Sequence, residues 1–154
     1  MRPIYHALSS AGVAAIVYRL SGSGMAAGAS FATGVLIDAD HLVDYFRVRG
    51  LHFDWQDFMG SSYFADAGKI IVPLHSVELL GVLWLLSSRL DRAATLGVAT
   101  SFCLHLLLDR LANPLHPLAY SLIFRWLHRF EHSAIVRGEV WGVCQLGEGL
   151  SLSP

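Results

Sequence analysis

Three histidines of this 154-residue chain lie inside or at the end of strongly apolar stretches, each with carboxylates close by. His41 closes the block Asp38-Ala39-Asp40-His41, His75 precedes Glu78 by three positions, and His105 precedes Asp109 by four. An ionisable group in such surroundings is costly unless it pairs or binds a cation. Imidazoles and carboxylates from separate segments make a ligand inventory for a borderline divalent ion, zinc above all. At about 100° per residue, His105 and Asp109 stand one turn apart on one helix face, and Asn113 continues that face. Asp40, His41 and Asp44 span an arc of about 100°, with Asp38 further round on the His41 side. Glu78 sits among Val77, Leu79 and Leu80, where an unpaired carboxylate is expensive.

The elements that must position these residues are apolar helices. The chain is 54% hydrophobic and 15% charged, with mean hydropathy +0.49, whereas soluble domains carry about 25% charged residues. The expected fold is all-α: one integral-membrane domain over 1–154, a polytopic bundle of about four transmembrane helices plus interfacial helices. The segments run over about 4–20, 25–46, 70–90 and 93–112, each near the roughly 20 residues that a crossing needs. The first ends at Ser21-Gly-Ser-Gly24 and is read as a retained helix rather than a cleaved signal peptide. The second is rich in small residues that let helices approach closely. Residues 47–68, polar and aromatic, read as an interfacial loop, and Asn113-Pro114 and His116-Pro117 break the fourth helix. The region 118–154 reads as interfacial and amphipathic, with a loosely ordered Gly- and Ser-rich end. A net charge of −1 argues against nucleic acid as a partner, and Cys103 and Cys144 show no metal or disulfide spacing. The sequence does not fix an oligomeric state.

Consecutive crossings alternate direction, so the start of helix one, the end of two, the start of three and the end of four share one face. His6, Asp38 to Asp44, His75, and His105 with Asp109 therefore fall at one membrane depth, and a single site is expected. Arg2, Arg47, Arg49, Lys69, Arg110, Arg125 and Arg129 belong to that face, and Arg19, Arg89 and Arg92 to the other. The positive-inside tendency puts the site and both termini on the cytoplasmic side. His52, His116, His128 and His132 read as ordinary structural or headgroup-level histidines, and Arg125 and Arg129 as interface anchors, although arginine also suits phosphate.

The order Asp38-x-Asp40-His41, His75-Ser76, His105-x-x-x-Asp109, preceded by His6, resembles the membrane-bound metal-dependent hydrolase family of bacterial and archaeal inner membranes. That family is distantly similar to zinc-dependent phospholipase C, an all-helical fold whose His and Asp ligands bind several zincs. The likeness covers about residues 1–117. The chain departs from the pattern at Leu74, where Thr is usual, at Ile37, where Pro is common, and in lacking an upstream His-Arg-Gly block. The resemblance implies an inner-membrane, multi-pass enzyme with one to three divalent ions, zinc foremost. The expected metal ligands are His6, Asp40, His41, His75, His105 and Asp109.

From these residues the expected chemistry is hydrolysis of a phosphoester or ester bond in a lipid or amphiphilic substrate by a metal-activated water. Glu78 or Asp38 is expected to act as base, with Arg110 or Arg125 steadying a phosphate. Two other readings stand beside it: a membrane metal-ion or proton transporter, and a non-catalytic metal-binding membrane protein. A transporter needs polar residues along a whole crossing, whereas Ile16 and residues 83–86 are apolar.

Overall fold

The computed structural model describes residues 3–60 and 62–137. In chain order they form α1 (Pro3–Ser21), α2 (Gly24–Leu36), a 3-10 turn (Ile37–Asp40) and α3 (His41–Arg49). α4 (Trp55–Gly60), α5 (Tyr63–Ala67), α6 (Glu78–Leu86) and a second 3-10 turn (Ser87–Arg89) follow. α7 (Arg92–Ala112), α8 (Leu122–Leu127) and α9 (His132–Ile135) complete the series. Besides helices and turns, the described residues hold two isolated bridges, Lys69 with Glu131 and Leu115 with Val136. The fold is all-α. Arg2, Cys144 and the tail 138–154 lie outside the described residues.

Small residues decide how α1, α2 and α7 meet. A Cβ at Gly34 would lie 2.0 Å from Ser10 Oγ and 3.6 Å from Ser101 Cβ, so α2 lies against both neighbours only because Gly34 has none. Gly97 does the same one register away, where a Cβ would meet Val17 Cγ2 at 3.0 Å and Ser30 Cβ at 3.1 Å. The serines in this contact are buried and bonded: Ser30 Oγ lies 2.9 Å from Ser101 Oγ and donates to the Gly97 carbonyl at 3.1 Å. Side chains cap the starts of α2 and α7, Ser23 accepting from Ala26 N–H and Asp91 from Ala94 N–H.

Two expected helices differ from the sequence reading. The segment 25–46 divides into α2, the 3-10 turn and α3. The tighter turn re-aims Asp38, Asp40 and His41 relative to a continuous helix. In the segment 70–90 the α-helix begins only at Glu78. Pro73 has no amide to donate and disfavours helical geometry at Val72. Val72 sits at φ 29, a left-handed value that is strained for a β-branched residue. α2 and α6, at 13 and 9 residues, are shorter than the roughly 20 residues of a crossing. Among the described helices, α7 is long and apolar enough to cross a membrane, and 33% of its most apolar window is buried.

The loop over 47–68 builds an aromatic cluster around the buried Tyr45, whose ring meets Phe46, Phe53, Phe58 and Tyr63 at 5.2–5.7 Å. Arg49 ties the loop down through Asp57, at 2.5 and 3.1 Å, and Asp66, at 2.8 Å.

A candidate metal centre at the end of the helix bundle

α7 brings His105 and Asp109 one turn apart into the bundle interior, where both are buried. His105 Nδ1 lies 2.9 Å from the Gly34 carbonyl of α2. A carbonyl only accepts, so Nδ1 carries the proton and Nε2 presents its lone pair inward. His75 reaches the same place from the loop before α6. Its Nδ1 donates to Asp40 Oδ1 at 3.0 Å, which leaves Nε2 as the inward lone pair here too. The two Nε2 atoms face each other at 3.2 Å. Two lone pairs at that separation repel unless a proton or a metal cation lies between them.

Two carboxylates close the arrangement. Asp38 Oδ1 lies 3.4 Å from His75 Nε2 and 3.3 Å from His105 Nε2. Asp109 Oδ2 lies 3.5 Å from His75 Nε2 and 3.3 Å from His105 Nε2. Donors held tetrahedrally at 2.0–2.1 Å from one zinc ion stand about 3.3–3.4 Å apart. Two nearly equilateral triangles thus share the His75–His105 edge, with edges of the length such an ion imposes. Two groups of residues could hold a metal ion: His6, Asp38, His105 and Asp109, and Asp38, His41 and His75.

His6, on the first turns of α1, stacks on the His105 ring at 4.0 Å, and its Nε2 lies 3.1 Å from Asp109 Oδ1. Its Nδ1 is buried with no hydrogen-bond partner in the structure. Donor atoms of His6, Asp38, His105 and Asp109 all lie within 4.8 Å of one another, as do those of Asp38, His41 and His75.

His41 differs from the other two imidazoles in its outer contact. Its Nδ1 lies 3.3 Å from the Tyr63 hydroxyl. Burial, with the Asp44 and Asp40 charges, pushes the Tyr63 pKa above its ordinary value, so the hydroxyl keeps its proton at neutral pH. His41 Nε2 lies 3.7 Å from Asp38 Oδ1.

The structure redistributes the other expected roles. Asp40, expected as a ligand, lies behind His75: its Oδ2 accepts from Leu74 N–H at 2.7 Å and His75 N–H at 3.3 Å. Asp38, expected as a base, stands among the inner donors. Glu78, also expected as a base, caps α8: it accepts from Ser121 Oγ, Leu122 N–H and Ile123 N–H at 2.6–3.2 Å. Arg110, expected at a phosphate, donates to the Leu115 carbonyl at 2.5 Å. Asn113 turns back to the Asp109 carbonyl at 3.0 Å.

Arg125 is the residue that sequence reasoning misplaced most. It is fully buried. Its Nη1 donates to the Ile71 and Val72 carbonyls, and its Nη2 to the His75 carbonyl at 3.1 Å and Ser76 Oγ at 2.5 Å. Asp44 holds the same loop from the other side, accepting from Ile71 N–H at 2.8 Å and Val72 N–H at 3.1 Å. Asp40, Asp44 and Arg125 together carry the loop that presents His75. The available signal was a second buried-charge set, Asp44 and Arg125, flanking a Pro73 that forbids helix.

Comparison of the chain with protein-family models, curated proteins and solved structures finds no match.

Proposed function

We propose that the chain is a membrane-associated, zinc-dependent hydrolase acting on an ester or phosphoester bond of an amphiphilic substrate. The observation that carries this reading is the set of inner donors, Asp38 Oδ1, His75 Nε2, His105 Nε2 and Asp109 Oδ2, spaced 3.2–3.5 Å apart along the edges that link them. A divalent ion bound there supplies a Lewis acid and a water whose pKa falls to about 7. Asp40 and the Gly34 carbonyl fix the two ring tautomers and orient the nitrogens. Asp38 is the inner donor with the most exposed side chain, at 29%, and the substrate approaches on its side. His41, held by Tyr63, carries the proton to or from the reacting group.

Membrane association is supported by α7, two thirds of whose apolar window faces outward, and by exposed Leu8, Ile16, Trp84, Leu85, Leu107 and Leu111. The motif order that resembles inner-membrane metal-dependent hydrolases favours the same reading. A conduit is disfavoured by the close contact of α1, α2 and α7 at Gly34 and Gly97.

The test is hydrolysis of a panel of carboxylic esters and phosphoesters by detergent-purified protein, before and after chelation. Turnover that disappears with chelator, returns with zinc and is absent in His105→Ala supports the reading. Turnover indifferent to chelation, or none by zinc-loaded protein, would overturn it.

A further inference from the structure

Beside the metal centre lies a groove of about 400 Å³, at the small end of the range for ligand sites. Its polar end is His6, Asp38 and His41. From there it runs along Leu36 and Leu42 to Phe53, Trp55, Phe58 and Met59 on the aromatic loop. The lining includes no lysine or arginine. The arginines of the surrounding elements have other partners: Arg47 pairs with Asp44 at 3.0 Å, Arg49 with Asp57 and Asp66, Arg110 with a carbonyl and Arg125 with the His75 loop. Among the described residues, a phosphate entering here would meet no lysine or arginine side chain. The two charges of a divalent ion are already matched by Asp38 and Asp109. The apolar end, by contrast, offers aliphatic, aromatic and methionine surface continuous with the donors, the setting of a hydrocarbon chain.

Resting on the hydrolase reading, we infer that this groove takes the acyl chain of an uncharged carboxylic ester, placing its carbonyl at the Asp38 edge of the donors. The volume suits one chain rather than a pair. In the reaction water's oxygen bonds to the acyl carbon and the acyl C–O bond breaks. One water proton ends on the leaving alcohol, and the other is released as the acid ionises.

Burying each further methylene gains at most about fourfold, so with partial burial the octanoyl ester of p-nitrophenol should show kcat/KM about tenfold or more above the acetyl ester. p-Nitrophenyl phosphate and bis(p-nitrophenyl) phosphate should be left intact. Met59→Trp, which fills the apolar end, should narrow the octanoyl-to-acetyl ratio. Calorimetry on zinc-loaded wild-type protein gives a readout independent of turnover: octanoate should bind at least tenfold more tightly than octyl phosphate. Phosphoester turnover without ester turnover would overturn the acyl-chain assignment and leave a metal-dependent hydrolase standing. So would equal kcat/KM for acetyl and octanoyl esters, or tighter binding of octyl phosphate. No turnover of any of these substrates by zinc-loaded protein would overturn both readings.

Discussion

His105 and His75 deliver the same atom to the same point by opposite means. On α7, His105 and Asp109 are placed by the helical repeat, four residues and one turn apart, and the backbone beneath them satisfies its own hydrogen bonds. In the loop before α6, His75 rests on backbone that cannot satisfy itself. Its amides are taken by Asp40 and Asp44 and its carbonyls by Arg125, with Val72 strained between them. A helix can lose a ligand and remain a helix. A loop strapped by buried charges loses its shape when a strap goes, because each orphaned charge or carbonyl stays in an apolar interior.

The largest effect that separates the two regions is expected at Arg125. Arg125→Met should lower stability by about 3–5 kcal/mol, since it leaves the buried Ile71, Val72 and His75 carbonyls without their donor, and should remove metal binding as the His75 loop rearranges. Thermal unfolding read beside metal content checks both. Asp109→Asn on α7 should abolish metal binding while the helical circular dichroism stays unchanged. If Asp109→Asn unfolds the protein and Arg125→Met does not, the comparison is reversed.

A smaller, sharper effect is expected from Asp40→Asn. The amide oxygen can still accept from Leu74 and His75 N–H, but the charge behind the imidazole is gone. Metal affinity should fall about 10–100-fold with a nearly unchanged melting temperature, measured by competition against a chromophoric chelator. Gly34→Ala probes the bundle itself. Its Cβ must displace Ser10, and overpacking of this kind costs about 1–3 kcal/mol, seen as a lower thermal midpoint.

The smallest effect belongs to the aromatic loop. The Arg49 guanidinium, helped by the Ser62 hydroxyl, lowers the Asp57 pKa to about 2. A carboxyl whose folded pKa lies below its unfolded value of about 4 stabilises fully above that value and ceases to do so as pH falls through the folded one. Tryptophan fluorescence of the wild type should therefore report loosening of the loop between about pH 4 and 2. Asp57→Asn should abolish that pH dependence; an identical acid profile in both proteins would remove Asp57 from the account.

The same contrast explains what could be read from the residues alone. His105 and Asp109 were legible because helical spacing is a local property. The meeting of His6, Asp38, His75 and His105 was expected from four alternating crossings, but α2 and α6 are too short for a crossing and His75 comes from a loop. The roles of Asp38 and Asp40 were not legible. They depend on a 3-10 turn that rotates one carboxylate inward and aims the other at a loop more than thirty positions away. Glu78 looked like a lone buried acid because its partners, the amides that open α8, lie 44 and 45 positions further on. Arg125 looked like an interface anchor because an amphipathic stretch does not reveal which of its charges turns inward. The short extent of α6 was foreshadowed by Pro73, which the hydropathy of residues 70–90 outweighed.

The central claim is that His75, His105, Asp38 and Asp109 bind one ion, and its most direct test is the metal content of purified protein by mass spectrometry, wild type against His105→Ala. The account predicts about one tightly held zinc ion per chain in the wild type and almost none in the variant. Negligible metal in both, or equal metal in both, would contradict it.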